Sequence, residues 1–439
     1  MARRKEQAKP DRPTKGSPSG RSAASSAPLP PLPGHRALRL PILAHGRVWG
    51  FIDRSGKIVV EPRFQSVHYY RDGLALVAEP GATGRWGILD EEGRWVVQPA
   101  FHRLGGFSEG LCAYNKGSSW GFIDARGETR IRAKFRYVER FGEGLAAACG
   151  ADLLYGFIDP DGKWAIPPKF DAAGAFRDGL CPVRLKKRWG YIDRTGATII
   201  EPRFARAWGF RDGVAEVVSS GREDKTSFAV REMKKHFNVE EFRGKWGLID
   251  RTGAYLAPPR FAYSESEFDH LSDAREQELG PLDREPAEVD GASAFHDGRA
   301  LGREGGKFGF VDRRGEVVLE PVWDHARHFG DGLAPVGFNE KGRPTMWGYV
   351  DGTGKVAIEP RFFDAAPFSE GLAAVRIEAA PNEFNLLTGG RWGYIDTTGK
   401  MVIEPLPVPG GPFRDGLAQR GRAFTCYIDR SGRTVWLAA

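Results

Sequence analysis

The sequence predicts an all-β fold in which tandem antiparallel hairpin repeats, each of about 35 residues, form one closed barrel-like ring. Three observations predict it. A pattern of Trp, Gly, two apolar residues, Asp, two variable residues and Gly starts at Trp49 and recurs along the 439 residues. Many of the 57 glycines and 30 prolines fall at fixed places in the repeat, which indicates tight turns. The segments between them are short and rich in β-branched residues, as strands are.

The pattern occurs ten times. Close copies start at Trp49, Trp86, Trp120, Trp189, Trp246, Trp347 and Trp392, and weaker copies start at Tyr155, Phe308 and Cys426. Insertions at 219–243 and 262–290, with shorter extensions at 337–345 and 377–390, lengthen the later repeats. Because insertions at equivalent positions of a repeat map to one face, we expect these segments to share a face.

Each copy is expected to be a strand followed by a turn. In Asp-x-x-Gly the aspartate should cap backbone N–H groups and the glycine should take a positive φ, as in a type I turn with an αL residue. The ten turn aspartates are Asp53, Asp90, Asp124, Asp159, Asp193, Asp250, Asp312, Asp351, Asp396 and Asp429. A short strand follows, and the proline in pairs such as Glu61-Pro62 is expected to end its pairing, because proline donates no ladder hydrogen bond.

A connector links each copy to the next. Its apolar residues recur at i, i+3 and i+6, as in Phe64, Val67 and Tyr70, which predicts a tight 3₁₀-like or irregular crossover. An Asp-Gly or Glu-Gly pair then recurs and predicts a second turn. These pairs begin at Asp72, Glu109, Glu143, Asp178, Asp212, Asp297, Asp331, Glu370 and Asp415.

The ten copies resemble the bacterial WG-repeat family, also called KWG repeats, over residues 46–439. The motif reads W-G-[FYIL]-[IV]-D-x-x-G-x-x-[VI]-x-x-P-x-[FW]. The resemblance implies an all-β fold and brings no common enzymatic activity with it. The copies at Tyr155, Phe308 and Cys426 depart from the motif, so less regular packing is expected there.

Closure of the ring is expected from the two ends of the repeat array. The last copy stops at Trp436, before any connector, and Leu38–Leu43 resembles the strand after an Asp-Gly turn. Pairing of these ends would remove open sheet edges, which are an aggregation hazard. An open β-solenoid or a propeller-like array is the alternative, although ten blades exceed a usual propeller and the repeat is short for four strands.

Charge divides the chain into a tail and a body. Residues 1–34 are rich in Pro, Ser, Lys and Arg and predict a disordered basic tail, followed by a repeat domain over 35–439. Residues 1–40 hold nine Lys or Arg against two acids, which accounts for the whole net charge of +7. The basic balance therefore gives no sign that the body binds nucleic acid. Only the tail could contact nucleic acid or another anionic surface.

The cysteines and the hydropathy indicate a compartment. Cys112, Cys149, Cys181 and Cys426 show no ligand spacing and are interpreted as small buried apolar residues. No disulfide framework is indicated, which favours a reducing, cytoplasmic location. No apolar run approaches the ~18 residues of a transmembrane helix.

No catalytic, cofactor-binding or metal-ligating residue is assigned. The motif tryptophans are interpreted as core, with the next glycine leaving room for the indole. A calcium loop needs several oxygen ligands, and each motif offers one aspartate. His325 and His328 form the densest histidine cluster and His296-Asp297 is another pairing; no third metal ligand is visible, and the histidines are expected to face outward.

The predicted function is a non-enzymatic scaffold that presents loops for protein–protein interaction. The acidic insertion 262–290 holds ten Asp or Glu against two Arg, so a basic protein partner is expected there. A glycan or cell-envelope ligand-binding module is the alternative, and it requires exposed tryptophans. The sequence leaves the oligomeric state open.

Overall fold

The computed structural model describes residues 39–44, 47–81, 84–219, 244–263, 295–340, 343–381, 387–421 and 426–438. The predicted tail and most of the two large insertions lie outside these residues. The chain separates into Met1–Gly34 and His35–Ala439, and the description below concerns the second unit. Its described residues form 39 strands and no helix, which confirms the all-β prediction.

The strands form ten antiparallel sheets, nine of four strands and one of three, and each sheet uses strands that follow one another in the chain. We call these sheets blades 1 to 10. Blade 1 contains β1 (Leu40–Ala44), β2 (Val48–Ile52) and β3 (Ile58–Phe64). Blade 2 contains β4 (Ser66–Val67), β5 (Ala75–Ala78), β6 (Trp86–Leu89) and β7 (Trp95–Phe101), and blade 3 contains β8 (Arg103–Ser108), β9 (Leu111–Lys116), β10 (Ser119–Asp124) and β11 (Thr129–Phe135). Blade 4 contains β12 (Tyr137–Gly142), β13 (Leu145–Cys149), β14 (Tyr155–Ile158) and β15 (Trp164–Phe170), and blade 5 contains β16 (Ala172–Ala173), β17 (Leu180–Leu185), β18 (Arg188–Asp193) and β19 (Thr198–Phe204).

The later blades follow the same plan. Blade 6 contains β20 (Arg206–Ala207), β21 (Val214–Ser219), β22 (Gly244–Asp250) and β23 (Tyr255–Tyr263), and blade 7 contains β24 (Phe295–His296), β25 (Arg299–Glu304), β26 (Lys307–Asp312) and β27 (Val317–Trp323). Blade 8 contains β28 (His325–Ala326), β29 (Leu333–Phe338), β30 (Met346–Asp351) and β31 (Val356–Phe362), and blade 9 contains β32 (Asp364–Ala365), β33 (Leu372–Pro381), β34 (Leu387–Asp396) and β35 (Met401–Leu406). Blade 10 contains β36 (Gly410–Arg414), β37 (Leu417–Arg420), β38 (Cys426–Asp429) and β39 (Thr434–Leu437). The predicted closed ring is therefore a ten-bladed propeller, the form given above as an alternative, and it consists of ten separate sheets rather than one continuous barrel. The substituted copies at Tyr155, Phe308 and Cys426 form blades 4, 7 and 10 like the others.

The connector supplies the first strand of the next blade, and the prediction of a 3₁₀-like crossover was wrong. In blade 2, Ser66 and Val67 pair with Ala78 and Val77. The amides of Gln65 and His68 extend this pairing through bonds of 2.9 Å to backbone oxygens of β5. Apolar residues three apart, such as Phe64 and Val67, are nevertheless both buried, because the connector is interrupted between its short paired stretches. A strand of two residues fits into a ~35-residue repeat, which removes the length objection to a propeller.

Where the last strand of a blade contains a proline, as in blades 1 and 2, the strand runs through it, so the expected end of pairing was also wrong. In blade 1, Trp49 pairs with Phe64 and Phe51 with Val60, so β3 bulges between these pairs. Pro62 lies in this bulge of an edge strand, where its missing N–H costs no ladder hydrogen bond. The bulge explains the glycine after the tryptophan. A Cβ on Gly50 would lie 2.5 Å from the oxygen of Val60, so the space is needed for backbone and not for the indole.

The Asp-x-x-Gly turn forms as predicted. Asp53 Oδ1 accepts hydrogen bonds from the backbone N–H groups of Ser55 (2.9 Å) and Lys57 (3.1 Å). Gly56 closes the turn at φ +86°. Aspartate therefore caps the turn and glycine takes the αL conformation.

The same turn joins each blade to the preceding one. A Cβ on Gly196 of blade 5 would lie 2.9 Å from Cγ2 of Ile166, in the middle of the fourth strand of blade 4. Equivalent contacts occur at every junction along the chain. The glycines and their contact residues are Gly93 on Val60, Gly127 on Val97, Gly162 on Ile131, Gly253 on Ile200, Gly315 on Ala257, Gly354 on Leu319, Gly399 on Ile358 and Gly432 on Ile403.

The tenth junction closes the ring between blades 1 and 10. Gly56 of blade 1 contacts Val435 of blade 10, as the other turn glycines contact their neighbours. The Tyr427 hydroxyl donates a buried hydrogen bond of 3.0 Å to the backbone oxygen of Pro41, 386 residues away. Ile42 and Ile52 pack there with Tyr427 in one of ten apolar clusters of the described residues. Each cluster lies between consecutive blades, so the core is a ring of interfaces.

The antiparallel order gives the ring two faces. The Asp-x-x-Gly and Asp-Gly or Glu-Gly turns lie on one, which we call the turn face. The loops between second and third strands lie on the other, together with the links from each fourth strand to the next blade. We call this the insertion face. All four lengthened segments begin and end there, at Ser219 and Gly244, after Tyr263, after Phe338 and in the β33–β34 hairpin, which confirms that they share a face.

Candidate functional site

The motif tryptophans are packed between blades. Trp246 is 3% exposed, and Trp120 and Trp347 are each 9% exposed. Trp49, Trp86, Trp189 and Trp392 are half-buried. Trp49, for example, packs against the blade 1–blade 2 cluster around Phe51 and Val60. None of the seven motif tryptophans is among the exposed residues, as a platform for stacking a sugar or a base would be.

The motif aspartates are used by their own turns. In six of them a Ser or Thr hydroxyl two residues later donates a hydrogen bond of 2.6 Å to Oδ1, as Thr195 does to Asp193. This hydroxyl is the largest cause of the lowered pKa of the carboxyl. The six aspartates are Asp53, Asp193, Asp250, Asp351, Asp396 and Asp429. Among the described ranges, no three His, Cys, Asp or Glu side chains converge as metal ligands.

The Asp-Gly and Glu-Gly turns form a belt that sequence reasoning missed. In each pair both residues have positive φ, as in a type I′ turn. The carboxylate of one blade accepts a hydrogen bond from the glycine N–H of the next. These bonds join Glu109 to Gly144 (2.9 Å), Glu143 to Gly179 (3.0 Å), Asp178 to Gly213 (2.9 Å), Asp297 to Gly332 (2.8 Å), Asp331 to Gly371 (2.6 Å) and Glu370 to Gly416 (2.9 Å). The sequence held one signal for this belt: Glu replaces Asp in three of these turns, although a positive φ disfavours Glu.

A cavity of about 420 Å³ lies inside the belt. Its lining comes from blades 2 to 6, so it lies at the hub of the ring. Four arginines and four carboxylates line it, so its formal charges cancel: Arg71, Arg140, Arg177, Arg211, Glu109, Glu143, Asp178 and Asp212. Three of these carboxylates already bind the next blade, which identifies the belt primarily as a structural element.

Two histidines that the sequence places in separate clusters meet at the blade 7–blade 8 junction. The rings of His296 and His328 stack at a centroid distance of 3.8 Å and an angle of 20°. Loss of hydration lowers the pKa of His296 to about 4, with the charge of His328 as the second cause and Asp297 opposing both. His325 and His328, which were expected to face outward, are half-buried, and the His328 ring stacks on His296. The separation of His296 and His328 by about one repeat was the feature of the sequence that could have predicted this contact.

Cys426, which replaces tryptophan in blade 10, lies beside an unusual arginine. Arg420 is 3% exposed, and its guanidinium donates hydrogen bonds to the backbone oxygens of Trp392 (2.5 Å) and Glu404 (3.2 Å). Burial raises the pKa of the Cys426 thiol, which Arg420 opposes. The other three cysteines are buried, as predicted. A thiol with a raised pKa is a poor nucleophile at neutral pH.

In the described part of the chain, no helix has the length and hydropathy needed to cross a bilayer.

Comparison with solved structures gives matches of low sequence identity. The crystal structure of the eukaryotic initiation factor matches with 13% identity and a TM-score of 0.44, over 85% of this chain and 97% of that one. A protein of unknown function from Bacteroides caccae matches with 16% identity and a TM-score of 0.25, over 53% and 95%. KlHsv2 with loop 6CD replaced by a Gly-Ser linker matches with 8% identity and a TM-score of 0.32, over 69% and 91%. No curated protein matches the chain.

A family model described as a WG containing repeat matches eight segments. They are residues 49–79, 86–118, 120–149, 155–189, 189–221, 308–341, 347–379 and 392–406, which together cover more than half of the chain. The copies at Trp246 and Cys426 are not among them, although both form blades. With the Trp-Gly strands, the Asp-x-x-Gly turns and their blade-to-blade contacts in place, the chain belongs to the WG-containing repeat family.

Proposed function

We propose that this protein is a non-enzymatic scaffold that binds a protein partner through its insertion face. The observation that carries the proposal is the placement of all four lengthened segments on that face. The turn face repeats the same short turns from blade 2 to blade 10. Variation confined to one face of a rigid repeat body is the arrangement of a binding surface.

The acidic insertion 262–290 is the segment we propose as the main contact. It lies largely outside the described residues, and its excess of eight negative charges supports a basic partner. Reduced, buried cysteines are compatible with the cytoplasmic location that we propose. A separate contact of nucleic acid with the tail 1–34 stays a prediction. It is tested by deleting the tail and measuring the salt-dependent retention of the protein on DNA.

The experiment compares three full-length proteins as baits in pull-downs from the native host. The first is unchanged, the second has Gln or Asn at all ten acidic positions of 262–290, and the third has the 337–345 extension shortened as a control on the same face. We expect the acidic-segment variant to lose a basic partner that the other two retain. Identical partner lists for all three would contradict the proposal.

The glycan-binding alternative receives less support, because the motif tryptophans it needs are buried or half-buried. Iodide quenching of tryptophan fluorescence separates the two functions. The scaffold predicts weak quenching, and strong quenching of the motif tryptophans would favour the glycan module.

A further inference from the structure

One half of the insertion face carries a marked excess of exposed positive charge. Among the described residues of blades 3 to 6, eight exposed basic side chains lie at this face against two exposed acidic ones, Asp152 and Asp171. The basic residues, which we call the basic arc, are Arg103, Lys116, Arg136, Lys186, Lys187, Arg188, Arg206 and Lys245.

Strand pairing places these residues at one end of their blades. Arg103 pairs with Asn115, next to the hairpin loop that begins after Lys116. Leu185 pairs with Arg188 on either side of the Lys186-Lys187 turn. Lys245 pairs with Ser219, where an insertion begins. Because blades 3 to 6 are consecutive in the ring, the basic residues lie on four neighbouring blades of this face.

The opposite half of the same face is different. In blades 7 to 9, three of its basic residues form ion pairs with acidic neighbours. These pairs are Lys307 with Asp324 (2.5 Å), Arg343 with Glu340 (2.9 Å) and Arg391 with Glu378 (3.8 Å). On the basic arc, the side chains of Lys116, Lys186 and Lys187 form no ion pair within the described part of the chain. Among the described residues, the charges of these three lysines are therefore not neutralised by an ion pair.

The turn at the middle of the arc is conformationally costly. Lys186 and Lys187 have φ of 48° and 65°, the left-handed region that glycine and asparagine favour. Blade 7 uses Gly305 and Gly306 at the equivalent turn. Lysines at these positions hold two positive charges at the tip of the hairpin, where a partner can reach them.

Two exposed apolar side chains accompany the charge. Tyr137 is 50% exposed and Leu153 is 51% exposed, and both lie at the insertion-face end of blade 4. The Arg136 guanidinium lies 6.0 Å from the centre of the Tyr137 ring. Binding sites for single-stranded nucleic acid stack several bases on several aromatic rings. Tyr137 is the only exposed Phe, Tyr or Trp of the described arc, and Leu153 offers a base nothing to stack on.

We propose that the basic arc binds an acidic segment of a partner protein in which carboxylates flank a large apolar side chain. The cations would pair with the carboxylates, and the apolar side chain would cover Tyr137 and Leu153. The inference rests on the proposed scaffold function, because it names a second contact on the same face. It differs in sign from the first, since it expects an acidic partner segment where insertion 262–290 expects a basic one.

The test measures binding of labelled probes to the full-length protein by fluorescence anisotropy. The first probe is a 16-residue peptide of Glu and Asp with a central Leu and Phe, the second has Gln and Asn at the acidic positions, and the third is a 16-nucleotide oligouridine. The arc variant combines Arg136→Gln, Lys186→Asn and Lys187→Gly. The control variant removes three charges from the turn face through Arg54→Gln, Lys57→Gln and Arg126→Gln.

We expect the acidic peptide to bind and the arc variant to weaken it by about tenfold or more, while the control changes it less than about twofold. Lys186→Asn and Lys187→Gly suit the turn, so folding of the arc variant is retained and is checked by thermal unfolding. No binding of the acidic peptide, equal losses in both variants, or preferential binding of oligouridine overturns the inference. These outcomes leave the pull-down result on 262–290 intact, so the two proposals fail separately.

Discussion

At the residue scale, the two glycines of the motif are required for different physical reasons. The glycine after the tryptophan makes room for a bulged backbone, as Gly50 does for Val60. The turn glycine needs its positive φ and also contacts the preceding blade, as Gly196 does at Ile166. Some glycines of the Asp-Gly turns share the φ but meet open space, as Gly332 does. These differences allow conformation and contact to be measured separately.

We expect Gly196→Ala to be clearly more destabilising than Gly332→Ala. Both substitutions place alanine at a positive φ, +85° and +82°, and therefore lose about 1 kcal/mol or more. Only the Gly196 Cβ would also lie 2.9 Å from Ile166, and overpacking adds about 1–3 kcal/mol. Urea unfolding of both variants measures the difference, and equal losses would show that the junction tolerates the methyl group.

The stacked histidines give a pH dependence. The pKa of His296 is about 4 in the folded protein, below the value of about 6.5 of an unfolded chain. Protonation therefore favours unfolding: the neutral ring stabilises the fold fully above pH ~6.5, and this contribution is lost as the pH falls toward 4. We expect the urea midpoint to fall less between pH 7 and pH 5 in His296→Gln than in the unchanged protein. Parallel pH profiles would contradict this.

Single residues also show which features could be predicted from the sequence and which could not. The cap of Asp53 and the αL glycine follow from local chemistry, so they were predictable. The stacking of His296 on His328 and the bond from Glu143 to Gly179 depend on how consecutive blades meet. Repeat spacing places such residues on neighbouring units, but it does not give the distance between their side chains.

At the element scale, the shortest strands were the part of the fold that the sequence did not predict. β4 has two residues, and its chemistry does not distinguish it from an irregular loop. Pairing with the neighbouring strand β5 makes it a strand, and a sequence pattern does not contain that pairing. β7 runs through Pro99 because it is an edge strand with a bulge there. Proline stops a central strand, and the sequence alone did not identify the edge.

The β17–β18 hairpin should gain stability when its turn lysines are replaced. Lys186→Asn with Lys187→Gly supplies the residues that a type I′ turn favours at φ of 48° and 65°. We expect the free energy of unfolding to rise by about 1 kcal/mol, since each strained residue costs about that much and glycine returns some of it to the unfolded chain. Thermal unfolding measures the change. A lower midpoint would mean that the lysines stabilise the hairpin.

At the scale of the whole molecule, stability depends on ten similar junctions. Nine of them join blades that are adjacent in the sequence, and one joins blades 1 and 10. Blade 1 has three strands, so β1 pairs with β2 alone in the described residues. The closing junction therefore holds β1 through side chains, notably through the hydroxyl of Tyr427 on Pro41.

We expect Tyr427→Phe to loosen β1 selectively. The substitution removes one buried hydrogen bond, which costs about 1 kcal/mol. Tyr394→Phe is the matched control, because Tyr394 donates a 2.9 Å bond to Gly411 at the junction of blades 9 and 10. Hydrogen exchange of residues 40–52 should accelerate in Tyr427→Phe and stay unchanged in the control. Unchanged exchange in both variants would show that apolar packing alone holds the closing junction.

The closing junction also sets an order of events during synthesis. Pro41 leaves the ribosome 386 residues before Tyr427 does. At roughly 5–20 residues per second, the interval is about 20–80 s. During that time Ile42 and Ile52 belong to a finished blade whose partner does not yet exist. The apolar side of blade 1 is therefore the surface that a nascent-chain chaperone would have to cover the longest.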